Sequence, residues 1–489
     1  MSLDLLIVHP GAAHGIYGEL GDDLVAIEPP LWARILAGYV RDRGFTVEIV
    51  DAEADRVGPD EVAAMVVAKR PKLVCLAVYG HQPSASTQQM TAAGATAKAI
   101  KKVIYTPIIM VGGHVAALPE RTWGEEAIDY ACAGEGPLTV EGLLRAEEPD
   151  FIPGLVWRKP RKIKVSINPS ALIEDMTQLH GDAWDLLPME KYRAHNWQCF
   201  GDLAARQPYA SVYTSLGCPY KCSFCMINSL FHSNRYRMRA PTDVVAEIVK
   251  LYRKYGVRTI KITDEMFVLN EKHYTAICEG LIASGIAPEL NIWAYSRIDT
   301  VKPDTLAMLR RAGIRWLALG IESASAYVRD GASKKLKNDD IVGVVRAIQA
   351  ADINVIGNYI FGLPDDDEAS MRATLDLAME LNTDFANFYS AMAYPGSKLF
   401  EEAAVKGWTL PKTWRGYSQH NDDCRPLDTL HVDAATVLRF RDEAFRTYFS
   451  NPAYLDMVEL KFGAATTRHV HDMLRYRLPR KLLMAEAAE

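Results

Sequence analysis

Gly217-Cys218-Pro219-Tyr220-Lys221-Cys222-Ser223-Phe224-Cys225 follows directly on the β-rich run 211–216. A short apolar run ending in glycine reads as a strand that breaks into a tight loop. Three cysteines spaced CxxxCxxC then share that loop, close enough to bind one inorganic centre. Thiolates bind iron tightly, and Cys218, Cys222 and Cys225 can hold three corners of a four-iron cube, a [4Fe–4S] cluster. The fourth iron is left open. Electron transfer alone has no need of that vacancy, whereas chelation of a small molecule does. The competing readings are three incidental cysteines, or half of a structural zinc site, which needs further donors; Cys199 or His232 would have to supply them.

Working outward, the alternation of short strands and helical patterns continues downstream. Strands are predicted over 211–216, 259–263, 291–296, 316–320, 355–361 and 385–391. Between the first two, residues 242–255 place Val245, Ile248, Val249 and Tyr252 on one helical face, with Pro241 as a start signal. Six such units predict a partial (β/α)6 TIM barrel, whose catalytic groups gather at the strand C-terminal ends. At those ends stand Asp264-Glu265, Ser296-Arg297, Gly320-Ile321-Glu322-Ser323, Asn358-Tyr359-Ile360-Phe361-Gly362-Leu363-Pro364 and Tyr394-Pro395-Gly396-Ser397. Each is weak alone: an acidic residue after a strand is commonly a helix N-cap, and glycine there is commonly a turn.

In this order, the motifs resemble those of the radical S-adenosylmethionine (SAM) superfamily over residues 210–400. The resemblance implies that SAM chelates the open iron and is cleaved by one electron to a 5′-deoxyadenosyl radical that abstracts hydrogen from a substrate. It further implies a SAM site built from Phe224, Asp264, Glu265, Ser296, Arg297, Glu322, Tyr359 and Phe361. In it the acidic pair takes the SAM amino group, Ser296 and Arg297 contact ribose and carboxylate, and the 358–364 motif borders adenine.

Residues 1–145 show the same alternation with strands at 5–9, 47–51, 73–78, 108–111 and 128–131. These runs are continuously apolar, as strands covered on both faces must be, and predict a doubly wound, Rossmann-like α/β domain with its crevice at the strand C-termini. Glu28-Pro29-Pro30-Leu31, Val111-Gly112-Gly113-His114 and Gly134-Glu135-Gly136 resemble the cobalamin-binding-type domain that precedes many radical SAM enzymes. The implied cobalamin contacts are Gly112, Gly113, Gly134 and Gly136, with Tyr79, His81 and Ser84 under the lower corrin face. One departure stands out. The Asp-x-His-x-x-Gly motif that supplies an axial histidine elsewhere is absent; the first loop reads His9-Pro10-Gly11-Ala12-Ala13-His14-Gly15.

The proline-rich stretch 146–205 reads as a linker with at most a short hairpin, and 181–192 as a short helix. Ile152-Pro153-Gly154 and Trp184-Asp185-Leu186-Leu187-Pro188 within it also resemble the family. The chain thus divides into 1–145, the linker 146–205, the barrel 206–400 and a helical tail 401–489. Cys75, Cys132 and Cys278 read as core residues, and His469 and His471 as structural. Cys424 reads as part of a surface loop, with entry into a substrate pocket as the alternative, and the basic run 475–481 as a solvated helix face. Trp414, Tyr417, Gln419, His420 and Asn421 are expected to cover the barrel mouth.

The 489 residues suffice for two or three domains, and the net charge of −6 gives no electrostatic reason to expect nucleic acid. The N-terminus has no secretory signal pattern, no apolar stretch is long enough to span a bilayer, and the eight cysteines do not form a disulfide framework. A cytoplasmic setting is expected. The resemblance implies cobalamin-dependent C-methylation of a polar small molecule, fed by an external electron donor of flavodoxin or ferredoxin type. The alternatives are radical dehydration or epimerisation of a sugar or aminoglycoside-like substrate without cobalamin. From another class comes an iron–sulfur or cobalamin sensor or electron carrier.

Overall fold

The computed structural model describes residues 3–11, 24–80, 86–162, 164–337 and 339–486; His81 and Ser84 lie outside them. Five parallel strands form the first sheet: β1 (Leu5–His9), β2 (Val47–Asp51), β3 (Leu73–Val78), β4 (Ile108–Gly112) and β5 (Tyr130–Cys132). Helices on both faces bury β1 and β3 along their whole lengths, which explains their unbroken apolar sequence. The linker adds to this sheet. Its hairpin, β6 (Leu155–Trp157) and β7 (Ser166–Ile167), pairs antiparallel with β5, giving the order β2-β1-β3-β4-β5-β6-β7. The helix expected over 181–192 is instead two 3₁₀ turns, Trp184–Leu186 and Met189–Lys191. Pro188 between them forces Leu187 into an extended conformation and interrupts any helix.

The second sheet is a six-stranded partial barrel in chain order: β8 (Tyr209–Val212), β11 (Thr259–Ile262), β12 (Asn291–Arg297), β13 (Ile314–Glu322), β14 (Asn354–Phe361) and β15 (Phe385–Ser390). Its first strand is shorter than the run 211–216. Asp264 accepts the Thr214 backbone N–H at 2.6 Å, diverting that donor from the barrel ladder. The chain then continues as β9 (Ser215–Leu216), antiparallel to β10 (Arg237–Met238). Trp197, from the linker, closes the barrel floor against Trp293, Trp316 and Phe385, with ring centroids 5.1, 5.5 and 5.8 Å away. Among the described residues no helix is long and apolar enough to cross a membrane.

The helical tail packs against the last strands, with Arg441 donating to the Phe388 carbonyl at 2.8 Å. Two readings of this tail need correction. Residues 476–480 are not helical, and Arg480 is buried, donating to Asp442 at 2.9 Å and to the carbonyls of Gln419 and Asn421. A guanidinium can be taken from water there because five donors meet a carboxylate and two carbonyls. Cys424 is buried against Met392 and Leu438 rather than lying on the surface.

Three buried ionic contacts lock the two sheets together. Lys261 on β11 donates to both Glu28 oxygens at 3.0 Å. Glu247 accepts from Arg34 at 2.8 Å, Arg239 at 2.6 Å and the Trp184 indole at 2.9 Å. Glu135, beside β5, pairs with Arg237 on β10.

Candidate functional site

The cysteine loop is held from several sides. Gly217 has φ +88°, and a Cβ there would lie 2.2 Å from the Arg235 carbonyl oxygen, so only glycine makes this turn. Ser223 N–H donates to the Ala332 carbonyl at 3.0 Å, its own carbonyl accepts from Leu399 N–H at 2.8 Å, and Asn228 holds the Tyr220 carbonyl at 2.7 Å. Phe224 packs with Val328, Leu363 and Ala391. Burial pushes the Cys218 thiol up to about 11 and the Cys225 thiol up to about 12, so a metal must displace protons to bind them. Cys222, partly buried, has the Arg297 guanidinium 3.9 Å from its sulfur.

This soft, three-thiol donor set on one rigid loop fits an iron–sulfur cube. The donors a zinc site would recruit are committed elsewhere: Cys199 points to the Ala205 carbonyl and His232 bonds the Ala133 carbonyl at 2.7 Å. Among the described residues no three His, Cys, Asp or Glu side chains converge as single-ion ligands.

The residues expected around SAM divide into two sets. Glu265 lines the cleft at the mouth, and burial pushes its carboxyl up to about 8. Arg297 sits over the Tyr220 ring at 3.9 Å, fixed by Asp299 at 2.9 Å and the Lys335 carbonyl at 2.8 Å. Glu322 stands at a register shift in β13 with φ +65°, paired with buried Lys334. A left-handed glutamate is strained, and its position here turns the carboxylate out of the regular strand alternation.

The others are turned elsewhere. Asp264 is buried and accepts from Thr214 N–H and Oγ1, both at 2.6 Å, and from Ser215 Oγ. Burial raises its pKa and those donors pull it back; its oxygens brace the strand leading into the cysteine loop. Ser296 Oγ bonds the Arg297 carbonyl and Thr300 within its own turn. Tyr359 and Phe361 require a correction. They lie on the outer face of β14, stacked on Phe388 at 5.4 and 5.8 Å, with Phe361 edge-on to Phe440 of the tail at 4.9 Å. The inner face carries Asn358, bonded by Asn387 at 3.0 Å, and Ile360, which packs beside Phe224. The period-2 alternation of a strand held that signal.

Beside the cysteine loop a cleft opens between the two sheets, with Leu216 and Ile227, from just before and just after the loop, in its lining. One wall is His9, Trp32, Ala77, Tyr79 and Gly80; the other includes Leu216, Phe231, Thr263 and Glu265. Trp32 stacks on Tyr79 with centroids 4.7 Å apart, and the Tyr79 hydroxyl donates to the Glu135 carbonyl at 3.1 Å. His9 accepts from Gln89 at 3.2 Å. A Cβ at Gly112 would fall 2.2 Å from the Val78 carbonyl oxygen, so β3 and β4 pair closely only with glycine there. Gly113 opens a short helix behind it. Gly134 and Gly136, the latter with φ +105°, line a second, smaller cleft with Gly154 and Ser170. The stacked Trp32–Tyr79 pair gives one wall of this cleft a flat aromatic surface, against which a planar ring system fits.

Of the residues expected over the mouth, Gln419 clamps both backbone groups of Ser390 at 3.0 and 2.7 Å. Trp414 stacks under Arg121 of the first domain at 4.4 Å. Burial, helped by Arg441 and Arg480, pushes the His420 imidazole down to about 3 and keeps it neutral. The pairing of Glu28 with Lys261 was not anticipated: Lys261 lies on β11, beside the Cys loop's own strand β8, and periodicity does not show which chain segment fills the space between two domains.

The B12 binding domain family matches residues 20–144 and the Radical SAM superfamily matches residues 212–378. The chain belongs to the radical SAM superfamily. This radical SAM chain is 28% identical over 482 residues to an uncharacterised methyltransferase of Pyrococcus horikoshii, covering 97% of the chain and 98% of that protein. It is 27% identical to the anaerobic magnesium-protoporphyrin IX monomethyl ester cyclase of Cereibacter sphaeroides over 81% of the chain and 63% of that enzyme. Its fold matches that of TsrM from Kitasatospora setae, a radical SAM methyltransferase solved with cobalamin and a [4Fe–4S] cluster, with TM-score 0.71 at 17% identity, over 97% of the chain and 99% of TsrM. The radical SAM chain therefore has a B12-binding domain, a partial barrel and a helical C-terminal region in one architecture.

Proposed function

We propose that the protein is a cobalamin-dependent radical SAM methyltransferase acting on a carbon of a polar small molecule. The observation that carries this reading is the cleft in which His9 of β1 and Ala77 of β3 in the B12-binding sheet stand opposite Leu216, Ile227 and Glu265, residues that flank the cysteine loop or end the neighbouring barrel strand. When bound, the cluster supplies the electron that cleaves SAM and the cobalamin carries the methyl group. Cys218, Cys222 and Cys225 would hold the cluster. Glu265 is suited to accept the SAM amino group, since a cation offsets the burial that keeps this carboxyl protonated. Arg297 is suited to the SAM carboxylate, and Ile360 and Phe224 offer an apolar border for adenine. On the other wall, Gly112 keeps the ends of β3 and β4 close together where a corrin would lie, and Trp32 and Tyr79 would shield it from water. The methyltransferase relative that spans nearly the whole chain supports this reaction over dehydration or epimerisation. The cytoplasm suits eight unpaired cysteines and a reduced cluster.

The test is anaerobic purification with cluster reconstitution and cobalamin, then incubation with methyl-deuterated SAM, a reductant and extract metabolites. A deuterated methyl group in a product, formed with 5′-deoxyadenosine, supports the reading. 5′-Deoxyadenosine formed by protein that takes up no corrin would overturn the methyl-transfer part.

A further inference from the structure

The partial barrel has a free edge at β15, which pairs only with β14. On the outer faces of these two strands Tyr359, Phe361 and Phe388 are at most 1% exposed. On the inner faces Asn358, Ile360, Asn387 and Tyr389 are each partly exposed, so the hollow of the barrel is open to solvent on this side. Over the free edge stands Arg441 of the tail helix Ala434–Phe449, itself only 7% exposed. Its Nε donates to the Phe388 carbonyl at 2.8 Å and its Nη1 to Asp442 at 2.8 Å; Nη2 meets no acceptor among the described residues. Arg480 grips the same carboxylate through Nε and Nη2, both at 2.9 Å. Two guanidiniums therefore share one carboxylate, and one positive charge is left over. The other acids of this region are committed or remote. Asp422 and Asp423 hold Lys481, Glu322 holds Lys334, and Glu443 is exposed, about 200° round the helix from Arg441.

We infer that Arg441 anchors an anionic group, a carboxylate or a phosphate, on the substrate. The inference rests on the methyltransferase reading and gives its polar small molecule a charge. Arginine stays protonated in proteins, so the surplus charge cannot be shed by losing a proton. Holding that charge away from water is costly until an anion joins it. A guanidinium with both Nη2 hydrogens unspent is suited to meet an oxyanion through charge-assisted bonds. Two neighbours register the charge. Burial and Glu322 push the Tyr389 hydroxyl up to about 12 while Arg441 draws it down, and both guanidiniums work with burial to keep the His420 imidazole neutral. Tyr389 lies on the inner face in register with Ile360, which packs beside Phe224, so the charge sits at the rim of the hollow.

The test compares reconstituted wild-type protein with Arg441→Gln, which keeps a donor for the Phe388 carbonyl and loses the charge, and with Arg441→Lys, which keeps the charge. The probe is the set of extract metabolites that an anion exchanger retains at neutral pH. Equilibrium dialysis followed by mass spectrometry should show wild type concentrating an anionic metabolite. Arg441→Gln should bind it at least about tenfold more weakly, and Arg441→Lys should recover most of the affinity. Phosphatase treatment of the probe separates the two anions: binding that disappears assigns a phosphate, and binding that persists a carboxylate. Iron content and SAM affinity should match wild type in both variants. Incubation of the same probe with methyl-deuterated SAM should label the metabolite that dialysis identifies. Wild type that concentrates nothing from the retained fraction overturns the inference, as does equal binding by Arg441→Gln. Loss of SAM affinity in Arg441→Gln would also overturn it, by assigning Arg441 to the packing of β15. If wild type binds the anion through Arg441 yet transfers no methyl group to it, the methyl-transfer reading fails and the anchor stands.

Discussion

In the cysteine loop the binding side chains come from consecutive residues 217–225, whereas the cleft beside it draws His9, Trp32 and Tyr79 from one domain and Leu216, Phe231 and Glu265 from the other. The loop depends on donor chemistry: a thiolate is present or it is not. The cleft depends on how closely two sheets approach, which is set by glycines and by buried ion pairs such as Glu28–Lys261. The first kind of site fails when one atom is changed. The second fails when spacing is changed, even by residues that touch no ligand.

The sharpest break of that contrast is Cys222→Ala. SAM cleavage should be abolished and iron content should fall, both measured on anaerobically reconstituted protein, while the unfolding midpoint of the metal-free chain barely moves. Retained 5′-deoxyadenosine production would remove Cys222 from the ligand set. On the cleft side, Lys261→Met removes the ammonium that both Glu28 oxygens accept from and leaves that carboxylate, 3% exposed, with the Tyr209 hydroxyl at 3.3 Å and the His195 imidazole at 3.8 Å. Breaking one partner of a buried pair costs about 3–5 kcal/mol. Urea unfolding should show that loss, and the double variant Glu28→Gln, Lys261→Met should recover most of it. A single variant as stable as wild type would mean that the pair does not hold the domains together.

That contrast also explains what the sequence made legible. Period and length gave the six barrel strands and the five parallel strands of the first sheet, because both patterns are local. The CxxxCxxC spacing is equally local. Tyr359 and Phe361 misled because a motif written along the chain does not say which face of β14 each residue takes; the tail helix Ala434–Phe449 covers the outer face with Phe440 and Tyr448 and claims both rings. Asp264 misled differently. An acidic pair reads as two equivalent ligands, yet one carboxylate bends back to Thr214 and Ser215 while its neighbour faces the cleft. Arg480 and Cys424 were read as surface because their neighbours are polar, and only the tail's return over the last strands buries them.

A weaker break on the cleft side is Gly112→Ala. The added methyl would press on the Val78 carbonyl from 2.2 Å, so β3 and β4 must separate. Overpacking of this sort costs about 1–3 kcal/mol. Retention of cobalamin through gel filtration should fall sharply while iron content stays at the wild-type level. Equal loss of both would show that loop and cleft are not independent sites.

Proton linkage at Glu265 is a smaller effect. Its folded pKa of about 8 lies above the ordinary glutamate value of 4.5, so in the ligand-free protein the carboxyl is largely protonated at neutral pH. A group with a raised acidic pKa disfavours the folded state as pH climbs from the ordinary value towards the raised one. A bound ammonium favours the ionised form, so SAM affinity should rise by roughly tenfold from pH 6.5 to 8.5 with proton release on binding. Glu265→Gln should bind more weakly at high pH and lose the slope. A slope that survives the substitution would move the titrating group elsewhere.

The smallest expected change tests the outward face of β14. Tyr359→Leu keeps an apolar side chain under Phe388 and Tyr448 and removes a ring that points away from the mouth. Stability should drop by about 1–3 kcal/mol, as for other losses of core volume, while SAM affinity stays within about twofold of wild type. Ile360→Ala, one residue along and on the opposite face beside Phe224, should reverse that pattern, weakening SAM several-fold at a similar cost in stability. If Tyr359→Leu instead weakened SAM as much as Ile360→Ala, the two faces of the strand would not be separable. The adenine border would then have to be carried by the strand backbone, which either substitution can shift.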